Sequence, residues 1–418
     1  SESRLFGLLG SINYVFKNRY ILSANLRADA DSKFGANNRW GLFPSVSAGW
    51  RFKMEPFASG WNIVDNDSKI RFSVGQSGKA PGSAYARFAQ YESQTQYMDD
   101  PAIRPDQIQL DNLKWQTVTQ WNAGLDLSFL EERISLTADA YLKRTSDLLW
   151  SNYSIPASSG FTRLRYFNGG ELENKGWELL INGVVIRRND FRASLNFNLT
   201  RNINRFLKFP ENFNEERSVS IGNGEYPRKA EVGKPIGSFY GFRYLGVWPS
   251  DDAVIATDEN GNVLLDGNGE PMPLTYKESY RFQGGDAKYE DFNHDGTIDI
   301  LDAVYIGDSS PDVTGGFGAN LNYKRISASV FFHYRMGFDI VNRMAIETQG
   351  MNNRNNQSKA VLHRWRRQGQ DEPDMLPRAY MDHPANNLGS DRYVERGDFL
   401  RLNNINLRYA LKPELVNR

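Results

Sequence analysis

Residues 20–30 read YILSANLRADA. Tyr20, Leu22, Ala24, Leu26 and Ala28 fall on one face of an extended chain, and Ser23, Asn25, Arg27 and Asp29 fall on the other. That is a period of two, which a strand has and a helix does not. The same alternation returns in TQWNAGLDLSFL (119–130), RISLTADAYLK (133–143), FRASLNFNLTRN (191–202) and ISASVFFHYR (326–335), with weaker runs starting near Leu8, Phe43, Lys69, Asn174, Gly237, Gly315 and Asp398. Roughly a dozen strands result, many of about ten residues or more, against a usual strand of about five to six. Polar residues stand in mid-strand, so one face of each strand is wet, either as an open sheet face or as a hydrated lumen.

The connections are asymmetric. Short polar turns join strands at FKNRY (16–20), LEERI (130–134), IRRND (186–190) and YKRI (323–326), whereas roughly 78–115, 150–172, 205–235, 248–312 and 338–396 are long and rich in Gly, Asn, Asp and Pro. Long irregular segments are uncommon in compact domains unless they are functional. Short turns at one end and long loops at the other suit an antiparallel transmembrane β-barrel, all-β, with long extracellular loops. One wall strand is expected at GSFYGFRYLGVW (237–248), and the up-and-down parity calls for another, unrecognised, between 205 and 312. TDENGNVLLDGNGEPMPL (257–274) reads as a small hairpin above the sheet, with turns at Asn260-Gly261 and Gly267-Asn268.

Fifty basic residues balance fifty acidic ones, so no overall field favours nucleic acid. The absence of cysteine excludes disulfides and thiolate metal sites. No apolar run of about 18 residues exists, and SESRLFGLLG has no signal-peptide pattern. The negative mean hydropathy is compatible with a membrane barrel, because such a strand shows lipid only every second side chain. No nucleophile elbow, His-Glu-x-x-His motif or P-loop occurs, and the four histidines are scattered, so the chain reads as a non-enzyme. HRWRRQGQDEPDMLPR (363–378) reads as a solvated loop around a packed Trp365.

One segment carries a metal-binding pattern. In DFNHDGTIDILD (291–302), Asp291, Asn293 and Asp295 take the first, third and fifth positions of a calcium loop. Gly296 permits the turn, the Thr297 carbonyl is seventh, and Asp299 and Asp302 are ninth and twelfth. Such spacing wraps oxygens around one hard cation, Ca2+ or alternatively Mg2+, although Asp replaces the usual closing Glu. No amphipathic helices flank the loop, so it is no sensor. A structural cation and a metal-free Asx-turn cluster are both compatible with these residues.

Taken in order, RYILSANLRADADSKFGANNRWGLFPSVSAGWRF (19–52), NLKWQTVTQWNAGLDLSFLEERISLTADAYLKRTSDLLW (112–150), NGGELENKGWEL, GKPIGSFYGFRYLGVW, GGDAKYEDFNHDGTIDILDAVYIGDSSPDVTGGFGANLNYK and GDFLRLNNINLRYAL resemble the SusC/RagA-like TonB-dependent transporters of the Gram-negative outer membrane. Gln116 stands where that family usually has Glu. The resemblance implies a 22-stranded plugged barrel, of which residues 1–418 supply the middle-to-late wall without plug or final strands. It further implies import of glycans or oligopeptides with a SusD-like surface lipoprotein, TonB-ExbB-ExbD coupling through the plug, and dimers of transporter-lipoprotein pairs in the lipid bilayer. Arg27, Arg51, Arg71, Asn122, Asp126, Asp139, Asn196 and His333 would then line a polar lumen. The alternative is a soluble, secreted all-β carbohydrate-binding protein with a structural calcium, in which the apolar faces pack against each other.

Overall fold

The structure is a computed structural model and describes residues 2–97, 100–161, 163–210, 216–217, 224–381 and 383–411. Contacts divide the chain into two compact units. The first comprises residues 1–213, 312–335 and 399–418; the second comprises 214–311 and 336–398.

An antiparallel sheet of 11 strands, neighbours in chain order, builds the first unit. Its strands are β1 (Leu5–Phe16), β2 (Tyr20–Asp31), β3 (Trp40–Trp50), β4 (Lys69–Lys79), β5 (Gln116–Phe129) and β6 (Ile134–Ser146). They continue as β7 (Glu171–Arg187), β8 (Phe191–Lys208), β9 (Val313–Tyr323), β10 (Ile326–Met336) and β11 (Phe399–Tyr409). Each strand reverses the last, so connections alternate between the two ends. The turns after β1, β5, β7 and β9 share one end, and every excursion longer than twenty residues leaves from the other. Tight reversal at the first end uses left-handed residues: Lys17 and Asn18 in one turn, and Leu130, Glu131 and Glu132 in another.

Register aligns the alternating residues across the sheet. Ile12, Ala24, Val46, Val74, Trp121 and Leu142 form one apolar row over six strands. Among the described residues the first unit has no second sheet packed on this face. Leu8, Ile12 and Val46 are 57%, 73% and 53% exposed, whereas on the opposite face of β2 Ser23 and Asn25 are half-buried and Asp29 is buried. This inversion rules out the sandwich alternative, which requires the apolar faces to pack together.

Aromatic residues bound the apolar face at both ends. Phe6 meets Trp40 edge to face at one end, and Tyr14, Phe16 and Tyr20 stack at the other. The ten residue steps from Phe6 to Phe16 span about 33 Å of strand, or about 25 Å along the membrane normal at a tilt of about 40°, the height of an outer-membrane apolar band. Glu55 binds the polar tips of the belt, accepting from Tyr20 Oη at 2.6 Å, Trp50 Nε1 at 3.2 Å and Arg19 Nη1 at 2.8 Å.

The long excursions of the first unit fold into hairpins, Gln90–Tyr97 with Asp100–Gln107 and Leu149–Ser154 with Arg163–Asn168. Phe34, Ala86 and Leu113 are buried beside them. Asp106 accepts from Arg163 Nη2 at 2.9 Å and pairs with Arg165.

In the second unit, short strands surround Phe242, Val254, Leu274, Tyr276, Phe282 and Ile298, closed by Ala385 and Leu388 from the later excursion. The strand expected in the wall at 237–248 lies here instead, as Ser238–Gly241 and Tyr244–Val247, paired with Val304–Asp308 and Ala287–Tyr289. No further wall strand occurs among the described residues of 205–312, because β8 runs on to Lys208 and pairs directly with β9. Parity is satisfied without one. Part of the segment 205–235 lies outside the described residues. The expected hairpin is a three-armed meander bridged at Thr257–Val263 and Leu265–Pro271. Its second left-handed glycine is Gly269 rather than Gly267. Trp365 packs as expected, its ring over Gly285 and its Nε1 donating to Pro249 O at 3.2 Å.

Candidate functional site

The polar face of the wall is cross-linked by charge. Arg71 on β4 donates through Nε and Nη2 to Asp126 on β5, at 2.7 and 3.0 Å, and through Nη2 to Asp139 on β6 at 3.1 Å. Lys69 Nζ stands 3.5 Å from Asp126. The guanidinium crosses β5 because the residue between Arg71 and Asp139 is Gly124. A Cβ there would lie 2.6 Å from Asp139 Oδ1 and 2.7 Å from Arg71 Cζ. A glycine inside a strand signals a close approach of this kind, although which chain approaches it cannot be read from the sequence.

Of the other expected lumen residues, Arg27 pairs with Asp29 at 2.8 Å, and Asn122 stands opposite Ser73 and Tyr141. Asn196 faces Asn182 and Gly318, and His333 lies opposite Arg401 with its ring against Phe399. Arg51 is placed differently. It follows the last residue of β3, and its Nη1 donates to Asn18 O at 3.3 Å, so it braces the first turn instead of lining the middle of the wall.

Loop 291–302 belongs to the second unit. Its side chains accept successive backbone N–H groups: Asp291 Oδ2 from Gly296 at 2.8 Å, Asn293 Oδ1 from Asp295 at 3.2 Å, Asp295 Oδ1 from Thr297 at 2.8 Å, and Asp299 Oδ1 from Leu301 at 2.7 Å. Asp302, 1% exposed, accepts from Phe292 and Asp299, both at 2.8 Å. Gly296, at φ +81°, makes the reversal. The carbonyls of Gly296 and Ile298 accept from Thr275 and Lys277, so alternation turns the Thr297 carbonyl the other way. Burial pushes the Asp291 carboxyl up from its ordinary value and Asp302 up to about 6, the N–H donors of Asp299, Phe292 and Asn293 pulling against it. Short strands flank the loop, Ala287–Tyr289 and Val304–Asp308.

The fit to a hard cation rests on two observations of opposite sense. Asp291 Oδ1 is buried with no hydrogen-bond partner, which is the kind of lone pair a cation satisfies. Asn293 Nδ2, however, donates to Asp295 Oδ2 at 2.8 Å, and no three acidic or histidine side chains converge on one point among the described residues.

Sequence reasoning did not single out Asp286. Fully buried, it accepts from Tyr280 Oη at 2.7 Å, Gln283 N at 2.9 Å, Arg378 Nε at 2.8 Å and Asn386 Nδ2 at 3.0 Å. It pins residues 280–286 to 378–386. The carboxylate is saturated by donors, which makes it a structural hub rather than a binding group.

An antiparallel meander with an exposed apolar face, aromatic margins and a charged opposite face is the wall of an outer-membrane β-barrel. The chain belongs to the TonB-dependent receptor-like β-barrel family, whose model matches residues 1–353. It is 30% identical over 445 residues to TonB-dependent receptor P39 of Formosa agariphila, covering 99% of this chain and 40% of that protein. It is 28% identical over 433 residues to TonB-dependent receptor SusC of Bacteroides thetaiotaomicron, covering 99% and 38%. The fold matches a chain of the RagAB peptide transporter structure with a TM-score of 0.76 at 22% identity, over 100% of this chain and 42% of that one. The chain thus spans about 40% of the length of the curated relatives it matches. TonB-dependent receptor barrels are outer-membrane proteins, and the expectations of fold, family and membrane location hold.

Proposed function

We propose that the chain forms part of the wall of an active importer for large nutrients, glycans or oligopeptides, working with a SusD-like surface lipoprotein and driven through TonB. The single observation that carries the reading is the inverted wall, apolar outward and charged inward, in a chain of this family. Among the described residues β1 and β11 each have one sheet neighbour. Such edges cannot face lipid, so the reading requires further strands to close the barrel.

The cross-linked row of Arg71, Asp126 and Asp139 stiffens the wall and leaves it wet, as a conduit for polar cargo requires. Loop 291–302 is proposed to hold a structural Ca2+ through Asp291, Asn293, Asp295, the Thr297 carbonyl, Asp299 and Asp302. The unpartnered Asp291 Oδ1 supports this, and Asn293 and Asp295 would exchange their mutual bond for the ion. When bound, the cation would supply only charge compensation and rigidity.

The test is uptake. Deleting the full-length gene should abolish growth on either a defined polysaccharide or oligopeptides, and the native complex should copurify with a lipoprotein. Unimpaired growth on both, together with a lone barrel after gentle extraction, refutes the importer reading.

A further inference from the structure

We propose a phospholipid site on the outward face near the turn end, which holds one acyl chain in a hollow over Gly183 and the lipid phosphate at Arg133. The row Ile134, Gly183, Leu195 crosses β6, β7 and β8 on the apolar face. At Gly183 the row lacks a side chain, and a Cβ built there meets nothing within 4 Å. The resulting hollow of about 530 Å³ is lined by Leu130, Ile134, Ile181, Leu195 and Phe197. That size is in the range of small-ligand sites, and the hollow opens on the face that hydrocarbon covers.

A charged group stands at its margin. β7 has a bulge between Val184 and Ile186, and Arg133 Nη2 donates weakly to the carbonyls of Val184 and Val185, each at 3.4 Å. Arg133 Nε is buried with no hydrogen-bond partner. Among the described residues no carboxylate forms an ion pair with Arg133, although the exposed Glu131 and Glu132 precede it on the turn and donate their N–H groups to Asp65. The aromatic pair Phe191 and Tyr323 sits at the same end of the wall, so this arginine is at head-group depth. A half-buried cation with no carboxylate paired to it among the described residues, beside an apolar track at that depth, is complementary to a glycerophospholipid anion.

Lipid hydrocarbon is available everywhere around the wall, so burial of a chain confers little selectivity by itself. Selectivity must come from the phosphate at Arg133, and residence from the hollow. The short turns of such barrels face the periplasm, where the leaflet is phospholipid.

The inference rests on the membrane-wall reading and is tested apart from it. Full-length transporter in detergent would be exposed to an equal mixture of chain-matched phosphatidylglycerol and phosphatidylcholine, and retained lipid counted by native mass spectrometry. Wild type should retain the anionic lipid about fivefold over the zwitterionic one, the ratio that one basic residue at an anionic surface supports. Arg133→Gln should bring the ratio to about one. Gly183→Leu should lower retention of both lipids, with Gly183→Ala as the milder variant should the leucine protein fail to assemble. Heat-modifiable gel migration reports assembly, and detergent dependence of solubility reports the wall. An unchanged ratio in Arg133→Gln overturns the proposal, as does displacement of the lipid by inorganic phosphate alone, which would make the site one for a free anion.

Discussion

Placing a charge on one face of β2 and not on the other separates a membrane wall from any other sheet. Ala24 points outward in the row with Ile12 and Val46, and its neighbour Ser23 points inward, opposite Asn13 and Ser47. Ala24 lies four residues from the Tyr20 row and six from the row of Phe6, Ala30 and Trp40. At about 3.3 Å per residue and a tilt of about 40°, that puts it about 10 Å from one aromatic margin and about 15 Å from the other, near the bilayer middle. An arginine there should cost about 2–4 kcal/mol. Ser23→Arg enters a row of small polar residues facing water and should cost less than about 1 kcal/mol. Urea titration of the full-length transporter folded in lipid vesicles would measure both, with heat-modifiable migration scoring the folded fraction. Equal costs for the two variants would refute the assignment of the apolar face to lipid.

Gly124→Val should drive its side chain into Arg71 and Asp139 and lower stability by about 1–3 kcal/mol, read as a reduced urea midpoint. Asp106 is buried, which pushes its carboxyl up, but the hydrogen bond from Arg163 and the charge of Arg165 outweigh this and hold it below 3.8. Its contribution is therefore present above that pH and lost only as pH falls through the lowered value. Asp106→Asn should cost about 1–3 kcal/mol at pH 7, and the difference from wild type should shrink in acid unfolding below pH 3.8. Terbium luminescence should report cation binding to loop 291–302 in the full-length protein and vanish in the Asp291→Ala, Asp295→Ala double variant; an unaltered signal, or none in wild type, removes the calcium assignment. Gly285→Ala combines a left-handed φ of +87° with a Cβ 2.4 Å from the Trp365 ring, so limited proteolysis should cut the second unit faster.

Much of the wall was legible because apolar surroundings on one face and water on the other sort the side chains of a strand with a period of two. Tyr20, Leu22, Ala24 and Leu26 carry it without interruption, and the short turns identify the strand order. The same period misleads at 237–248. Ser238–Gly241 and Tyr244–Val247 are pleated too, but they are four residues each with bulges in both ladders, too short to cross a membrane. Alternation reports a pleat and says nothing about which sheet owns it. In the calcium-like loop the acceptors lie within a few residues of their donors, so the Asx turns were readable. Asp286 was not, because Arg378 and Asn386 reach it from 92 and 100 residues away, and spacing carries no information at that range.

The second unit draws on two excursions of the chain, and this fixes an order of assembly. Tyr244 N–H bonds Asp391, 147 residues later, and Tyr226 Oη bonds the Ser390 carbonyl across 164. Between these partners the chain travels through β9 and β10. Neither excursion can complete that core alone, so the unit closes as a clasp only after the intervening hairpin has been laid down. Contacts of such span form late and slowly, so a wall could be complete while its clasp still hung open to proteases.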